Sequence, residues 1–244
     1  MKVGLFVPCY VDQFYPQVGI ATLELLRQFD VAVSYPMQQT CCGQPMANSG
    51  CEKDAIPSYH HFVETFQGFD YIVAPSGSCT YHVRKHFDVI EQSKPVQHVR
   101  ARTLDISEFL LDVLQIKRLP AKFPHKVGLH QSCHGLRGLR LGQGSERVGT
   151  AYSKTEQLLQ MVEGLELITL DRQDECCGFG GTFAVSEAAV SAKMGKDRIA
   201  DHQRNGAEVL TAGDMSCLMH LEGLIRRQQS EIKVIHLVEI LNAK

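Results

Sequence analysis

The sequence predicts an α/β fold made of two duplicated halves, each with its own parallel sheet, related by a pseudo-twofold axis. Three observations lead to this prediction. Eight of the nine cysteines fall into two matching sets, the segments around them are similar, and short apolar runs alternate with amphipathic ones along the chain of 244 residues. Strands that alternate with helices form parallel βαβ units.

The duplication is visible in the cysteines and in their flanks. KVGLFVPCY matches KVGLHQSCH, CCGQP matches CCGFG, and YIVAPSGSCTYHV matches EVLTAGDMSCLMHL. Self-similarity of this kind indicates a repeat. LPAKFPHK carries two prolines between the copies, so we expect domains at residues 1–120 and 125–244. The first set is Cys9, Cys41, Cys42 and Cys79, and the second is Cys133, Cys176, Cys177 and Cys217.

In the first half, residues 3–8 are a short apolar run that is typical of a buried strand. Residues 18–29 carry apolar side chains at helical spacing, and residues 31–35 alternate like a strand. The remaining elements follow by the same criteria. They are a helix at 56–66, a strand at 71–74, a helix at 81–90 and a closing helix at 106–114.

The second half repeats this order, so both halves are predicted to be Rossmann-like. Its longest predicted helix covers residues 184–203, with Ser186 as its cap. A final segment at 234–241 reads as a strand or as a strand followed by a helix. The other elements are a strand at 127–130, a helix at 154–162, strands at 165–170 and 209–212, and a helix at 218–228.

Composition excludes several classes of function. The net charge is −2 and no long basic run occurs, so no nucleic-acid partner is expected. No apolar run approaches the roughly 20 residues of a membrane span, and Pro8 interrupts the N-terminal apolar run too early for a signal peptide. We therefore expect a cytoplasmic protein. Nine cysteines in a reducing compartment favour metal or redox chemistry over disulfides.

Each cysteine set is predicted to converge where parallel strands end. Nearby helix N-termini favour thiolates, which are the form that binds metal. Four thiolates suit an iron–sulfur cluster or a zinc ion. Adjacent sulfurs diverge and reach different metals of a cluster more easily than one ion, and Gly43 and Gly178 let the backbone turn beside them. Cys51, outside both sets, is expected to be a small buried core residue.

The doubled Cys…Cys-Cys-Gly…Cys pattern resembles the CCG-domain, cysteine-rich iron–sulfur oxidoreductases. The likeness covers nearly the whole chain and is strongest in GLFVPCYVDQFYPQVGIATLELL and DECCGFGGTFAVSEAAVSAKMGKDRI. Within that family, the length and layout are most similar to the lactate-utilisation members. Other members are the iron–sulfur subunits of glycolate oxidase and of anaerobic glycerol-3-phosphate dehydrogenase, and the B subunit of heterodisulfide reductase.

The resemblance implies an electron-transfer subunit in the oxidation of L-lactate to pyruvate. It implies iron–sulfur clusters, [4Fe–4S] and one per half, held by the eight cysteines. It also implies two partners, a ferredoxin-type iron–sulfur subunit and a third lactate-utilisation subunit. The alternatives are a glycolate-oxidase- or heterodisulfide-reductase-like subunit, and a zinc-binding scaffold without redox activity. Thiol–disulfide chemistry at the Cys–Cys pairs is the least favoured, because vicinal disulfides are strained.

The chain departs from the fuller family motif, which ends in Cys-x-x-Cys. Ser76 and Asp214 stand at the first positions of those pairs. The unusual non-cubane cluster is therefore not expected, and a plain four-iron cluster, or a cluster in one half and zinc in the other, is favoured. An oxygen of Ser76 or Asp214 could still bind metal, but we expect both to be exposed loop residues.

SCHGLRGLRLG is the best candidate for contact with an anionic 2-hydroxyacid substrate. Arg137 and Arg140 could hold a carboxylate, and His134 could move the hydroxyl proton. The alternative is that all three face solvent or pair locally. His82 and His220 follow Cys79 and Cys217 closely and could bond a cluster sulfur or pack between helices. No GxGxxG follows a strand and no P-loop occurs.

Overall fold

In each half, strands alternate with helices as the periodicity predicts. The computed structural model describes all 244 residues. A short π-helical turn at residues 109–113 closes the first half. The elements of that half are β1 (Lys2–Leu5), α1 (Cys9–Phe14), α2 (Pro16–Arg27), β2 (Ala32–Ser34), α3 (Gln44–Asn48), α4 (Glu52–Phe66), β3 (Tyr71–Ala74), α5 (Gly77–His86), α6 (Lys94–Arg102), β4 (Thr103–Asp105) and α7 (Ile106–Glu108).

The second half has a shorter and more irregular beginning. A π-helical turn at residues 134–138 takes the place of α1. The regular elements are β5 (Lys126–Leu129), α8 (Lys154–Leu159), β6 (Glu166–Leu167), α9 (Phe183–Ser186), α10 (Ala188–Arg204), β7 (Val209–Ala212), α11 (Met215–Arg227), β8 (Lys233–His236) and α12 (Leu237–Leu241). None of the helices has the length and apolar character that crossing a lipid bilayer requires.

The two sheets have the same strand order and only parallel pairs. The first runs β2-β1-β3-β4 and the second β6-β5-β7-β8. Val3 pairs with Tyr71 in the first sheet, and Val127 pairs with Val209 at the equivalent place in the second. The predicted α/β fold with duplicated halves is thereby confirmed. In such sheets the crevice at the carboxyl ends of the two central strands is where ligands bind.

The halves pack closely on one another. A hydrophobic cluster of 37 buried residues draws on both, from Val3 and Leu25 to Val127 and Leu241. Helix α2 packs on α12, and Asn242 donates to the Glu24 carboxylate at 2.7 Å. A second cluster of 16 residues, rich in phenylalanine, lies within the first half. The predicted bounds of 1–120 and 125–244 place one sheet in each domain, and the division itself stays a prediction.

The single long helix predicted at 184–203 is wrong in one respect. The chain breaks at Glu187, whose backbone lies at φ −120° and ψ 45°, so α9 and α10 are separate helices. Ser186 ends α9 and caps nothing; Glu187 holds the N-cap position of α10 without a side-chain hydrogen bond. The break lets Ser191 donate its hydroxyl to the Gly178 carbonyl at 2.7 Å, which ties α10 to the cysteine loop.

Candidate metal centre

All eight cysteines of the two sets line one cavity of about 320 Å³ between the halves. The sequence predicted two separate convergence points, and the structure brings both to a shared space. Within each set, two cysteines are buried and two are half-buried, so the sulfurs form the wall of the cavity. The buried ones are Cys42, Cys79, Cys177 and Cys217, and the half-buried ones are Cys9, Cys41, Cys133 and Cys176.

Strand ends and helix starts place these side chains. Cys9 opens α1 just after β1, and Cys79 lies in the first turn of α5 just after β3. Cys217 holds the same place in α11 after β7, while Cys133 immediately precedes the turn at 134–138. Helix N-termini carry free N–H groups and partial positive charge, so negative charge on these sulfurs is stabilised.

The glycine after each Cys–Cys pair is required by the backbone. Gly43 and Gly178 both have φ +88°, a left-handed conformation that favours glycine. A Cβ would lie 2.6 Å from the ring of buried Tyr59 at Gly43, and 2.6 Å from the Ser191 carbonyl oxygen at Gly178. Each glycine N–H instead donates to the first cysteine of its pair, at 3.4 Å from Cys41 Sγ or Cys176 Sγ.

In the first set, the Cys9 thiol donates a hydrogen bond to the Cys41 sulfur. Cys9 Sγ and Cys41 Sγ are 3.7 Å apart. Hydrogen bonds from the Cys42 and Cys9 thiols lower the pKa of Cys41 to about 3. In the second half, bonds from the equivalent thiols of Cys133 and Cys177 lower the pKa of Cys176 to about 2. Each set therefore contains one thiol that ionises readily. The resulting thiolate is the form that binds a metal.

The donor sets fit both candidate groups. Four thiols per half match the four cysteines that commonly hold an iron–sulfur cluster. The Cys9–Cys41 separation of 3.7 Å also resembles the edge of a zinc tetrahedron, about 3.8 Å for zinc–sulfur bonds of about 2.3 Å. The four thiols of each half therefore have the number and softness of ligand that either group requires.

A histidine lies beside the second set, and the sequence prediction missed it. A ring nitrogen of His130 and the sulfurs of Cys177 and Cys217 lie within 4.8 Å of one another. His130 is 1% exposed, and burial, together with the Arg198 cation, lowers its pKa to about 3. The signal was present in the repeat, because His130 follows β5 where Phe6 follows β1.

Ser76 and Asp214 are not the exposed loop residues that were expected. They are 3% and 1% exposed, and they form an antiparallel bridge with each other across the two halves. Ser76 Oγ accepts from the Cys79 N–H at 3.3 Å, and Asp214 caps α11. Both are buried because each holds the N-cap position of a helix that begins at the cavity wall.

The predicted substrate residues separate in space. His134 lines the cavity, with its ring 5.2 Å from the ring of Tyr81. Arg137 lies outside the lining and pairs with Glu146 at 3.0 Å and with Asp174 at 2.9 Å. Arg140 is exposed, also outside the lining, in a left-handed conformation at φ +58°. Contact of these three residues with substrate stays a prediction.

Three further side chains have clear positions outside the cavity lining. Cys51 was expected to be buried, and this is wrong: it is exposed at the N-cap of α4, where the chain leaves a surface turn. His82 is buried and bonded to the Tyr59 hydroxyl at 3.1 Å. His220 packs beside Phe179 with its Nε2 unpartnered. Neither histidine lines the cavity.

The arrangement can be compared with known proteins. The family described as CCG, cysteine-rich domain, matches residues 3–84 and 127–222, segments that contain all eight cavity cysteines. The chain belongs to the CCG family. Both halves are CCG domains by this match, as the doubled motif predicts.

Similar CCG proteins span the full length of the chain. "Lactate utilization protein A" of Halalkalibacterium halodurans is 40% identical over 247 residues, covering 99% of this chain and 97% of that protein. The protein of the same name from Bacillus subtilis is 38% identical over the whole of both chains. Among solved structures, a glutamate racemase from Bacillus anthracis covers 99% of this chain and 78% of its own, at 11% identity and a TM-score of 0.39.

Proposed function

We propose that this chain is an iron–sulfur electron-transfer subunit of a system that oxidises L-lactate to pyruvate. One observation supports the proposal above all: two sets of four cysteines, one from each half, line a single cavity. Full-length relatives named "Lactate utilization protein A" supply the lactate context. Membership of the CCG family and similarity to lactate-utilisation proteins hold whether or not the chain carries clusters.

The cysteines are the proposed ligands of one [4Fe–4S] cluster per half. Such clusters accept and release single electrons. Oxidation of a 2-hydroxyacid to a 2-oxoacid releases two electrons and two protons. Two one-electron acceptors take up the electrons of one turnover, His134 would take the hydroxyl proton, and we assign removal of the hydrogen on carbon to a base of a partner subunit. Cys9, Cys41, Cys42 and Cys79 would hold the first group, and Cys133, Cys176, Cys177 and Cys217 the second.

The chain provides donors for the negative charge of such groups. The Gly178 N–H points at Cys176 Sγ at 3.4 Å, and the Phe179 N–H at Cys177 Sγ at 3.5 Å. The first turns of α5 and α11 carry Cys79 and Cys217, but their N–H groups at Ser78, Cys79 and Ser216 already bond Asp214 or Ser76. The direct donors to sulfur therefore come from the cysteine loop. Hydrogen bonds to cluster sulfur stabilise the reduced state, which is the more negative one.

His134 is the proposed proton acceptor for a small 2-hydroxyacid, because it alone of the three predicted substrate residues lines the cavity. Arg137 would have to leave Glu146 and Asp174 before it could bind a carboxylate. The electrons then need an exit, for which we propose a ferredoxin-type partner subunit together with a third lactate-utilisation subunit.

A zinc-binding scaffold without redox activity is the second candidate. The 3.7 Å separation of Cys9 Sγ and Cys41 Sγ favours it, since two sulfurs at that distance can share one ion. A third arrangement has zinc in one half and a cluster in the other. The metal content per chain distinguishes two clusters, two zinc ions and this mixed arrangement.

The deciding experiment is anaerobic reconstitution followed by measurement of iron, sulfide and zinc per chain. We expect about eight iron and eight sulfide, the content of two four-iron clusters, and an absorbance that dithionite bleaches. Cys177→Ser should lower the iron content, whereas Cys51→Ser, at an exposed thiol outside the cavity, should leave it unchanged. Tightly held zinc with no iron would establish the scaffold instead.

A further inference from the structure

The two halves differ at one buried position next to the cysteines. After β1 the chain continues with Phe6, which is 0% exposed and packs edge-on against Phe62 at 4.9 Å between ring centres. After β5 the equivalent residue is His130, 1% exposed and beside Cys177 and Cys217. A buried imidazole is costly unless its nitrogens have a use. The replacement therefore calls for a functional explanation.

Arg198 of α10 determines which nitrogen of His130 carries the proton. Its guanidinium is 0% exposed, and all of its N–H groups have acceptors, so it cannot rotate away. Nε donates to His130 Nδ1 at 3.2 Å. The other acceptors are the carbonyls of Arg172, Leu129 (3.2 Å) and Gln173 (3.4 Å) and the carboxylate of Asp201 (3.2 Å).

Because Nδ1 accepts this bond, the proton of the neutral ring lies on Nε2. Nε2 is buried and has no hydrogen-bond partner. The distances from His130 to the two sulfurs would allow all three residues to bind one metal ion. A protonated nitrogen has no lone pair for a metal, however, so in this tautomer Nε2 of His130 is not a ligand. It is instead a buried donor on a ring that lies beside the sulfurs of Cys177 and Cys217, and a thiolate or sulfide is the acceptor that would satisfy it.

We propose that His130, held by Arg198, donates an Nε2–H hydrogen bond to sulfur of the group bound in the second half and thereby raises the reduction potential of that group. The inference rests on the proposed function, since it requires a redox-active cluster in each half. Hydrogen bonds to cluster sulfur are one of the factors that set such potentials. His130 is a positioning residue that acts on the cluster environment.

The first half lacks both parts of this device. Phe6 has no N–H to donate, and the residue at the same distance from the Cys–Cys–Gly motif as Arg198 is Val63. Asp201 balances the charge of Arg198 within the buried network at 3.2 Å. The Arg198–Asp201 pair therefore adds no net charge, and the effect assigned to His130 is that of a hydrogen bond. The other buried difference, Asp214 in place of Ser76, is separate from it.

The proton position can be measured without any metal. In metal-free protein with ¹⁵N-labelled histidine, the His130 ring should show the Nε2–H form, identified by loss of its signals in His130→Phe. An Nδ1–H form would overturn the proposal, because it would leave Nε2 free to bind metal. The proton position is read from the wild-type chain, and His130→Phe serves only to assign the signals.

The effect on potential is measured by an EPR-monitored redox titration of anaerobically reconstituted protein. His130→Phe should lower the potential of one of two clusters by at least a tenfold change in the one-electron equilibrium constant, about 59 mV. His130→Gln keeps an acceptor for Arg198 and an N–H donor, and should restore most of the shift. Phe6→Leu, at the equivalent position of the first half, is the matched control. It should leave the potentials of both clusters unchanged.

Two results separate the failure of each proposal. Wild-type protein that takes up no iron would refute the proposed function, and the tautomer measurement would still report the state of His130. Loaded protein in which His130→Phe leaves both potentials unchanged would refute the role of His130 alone. Pulsed EPR of the ¹⁵N-histidine sample gives a third outcome: a coordinated nitrogen that His130→Phe removes would show that His130 is a ligand and overturn the inference.

Discussion

Asp214 accepts a hydrogen bond from the backbone N–H of Ser78, in the opposite half of the molecule, at 2.7 Å. Its other carboxylate oxygen accepts from the Ser216 hydroxyl at 2.7 Å and from the Ser216 N–H at 3.4 Å. One buried carboxylate therefore serves the first turns of both α5 and α11. These turns carry Cys79 and Cys217, so the bond fixes the two halves of the cavity wall relative to each other.

Loss of this shared cap should destabilise the metal-free protein. We expect Asp214→Ala to lower the free energy of unfolding by about 2–4 kcal/mol, because donors at two helix ends lose a buried charged acceptor. Ser76→Ala is the matched control, since Ser76 caps only α5, and should cost about 1 kcal/mol. Urea unfolding followed by circular dichroism measures both. Equal costs would contradict a cap shared between the halves.

The glycine after the second Cys–Cys pair offers a test of steric constraint. Gly178→Ala should cost about 2 kcal/mol more than Gly50→Ala, and should also lower iron uptake. Both glycines have a left-handed backbone, at φ +88° and +81°. A Cβ at Gly178 meets the Ser191 carbonyl oxygen at 2.6 Å, whereas nothing lies within 4 Å at Gly50. Similar costs in urea unfolding would show that the cysteine loop adjusts freely.

Asp105 should make stability depend on pH. Burial is the main cause that raises its pKa to about 7, and its Oδ2 has no partner. A raised carboxyl pKa favours the protonated folded state, so its contribution is complete below the unfolded pKa of 3.8 and is lost as the pH rises through 7. Asp105→Asn keeps a capping side chain without the charge.

We therefore expect Asp105→Asn to be the more stable protein at pH 8, by roughly 2–4 kcal/mol, and to differ much less at pH 4.5. Urea unfolding of both proteins across that range gives the difference directly, because other titrating groups contribute equally to each. A difference that does not change with pH would show that Asp105 titrates normally in the folded protein.

The substrate residues can be ranked by their positions. In a reconstituted lactate-oxidising complex, His134→Gln should lower kcat by about 10²-fold or more, as expected for loss of a general base. Arg140→Ala, exposed and outside the cavity lining, should stay within about twofold of wild type on geometry alone. Iron content must be equal in both samples. An equal loss of kcat in Arg140→Ala would show that Arg140 also acts on the substrate.

The parts of the structure that local pattern controls were predictable. β3 was predicted with its observed bounds because YIVA is a continuous apolar run. The two Cys–Cys–Gly motifs and the four strand-end cysteines that accompany them located all eight cysteines that line the cavity. β4 was not predicted, since its three residues, Thr103 to Asp105, carry only one apolar side chain and depend on pairing with β3.

The parts that depend on partners distant in sequence were not predictable. Nothing in DMSC indicates that Asp214 is buried. The groups that donate hydrogen bonds to its carboxylate belong to Ser216 and to Ser78 in the other half. The proposed role of His130 likewise depends on Arg198, which lies on α10, far away in sequence. Cys51 was assigned to the core from its residue type alone, whereas its place at a helix start leaves it exposed.

A cavity lined by two copies of one fold is nearly symmetric. A small molecule and the same molecule turned by half a revolution would meet almost identical walls. Only the positions where the copies have diverged can fix its orientation, and those that line the cavity include Tyr10 against His134, Ser76 against Asp214 and Gln44 against Phe179. Selectivity for the handedness of a chiral acid bound in this cavity would depend on such differences, and they are where variation among relatives should alter substrate choice.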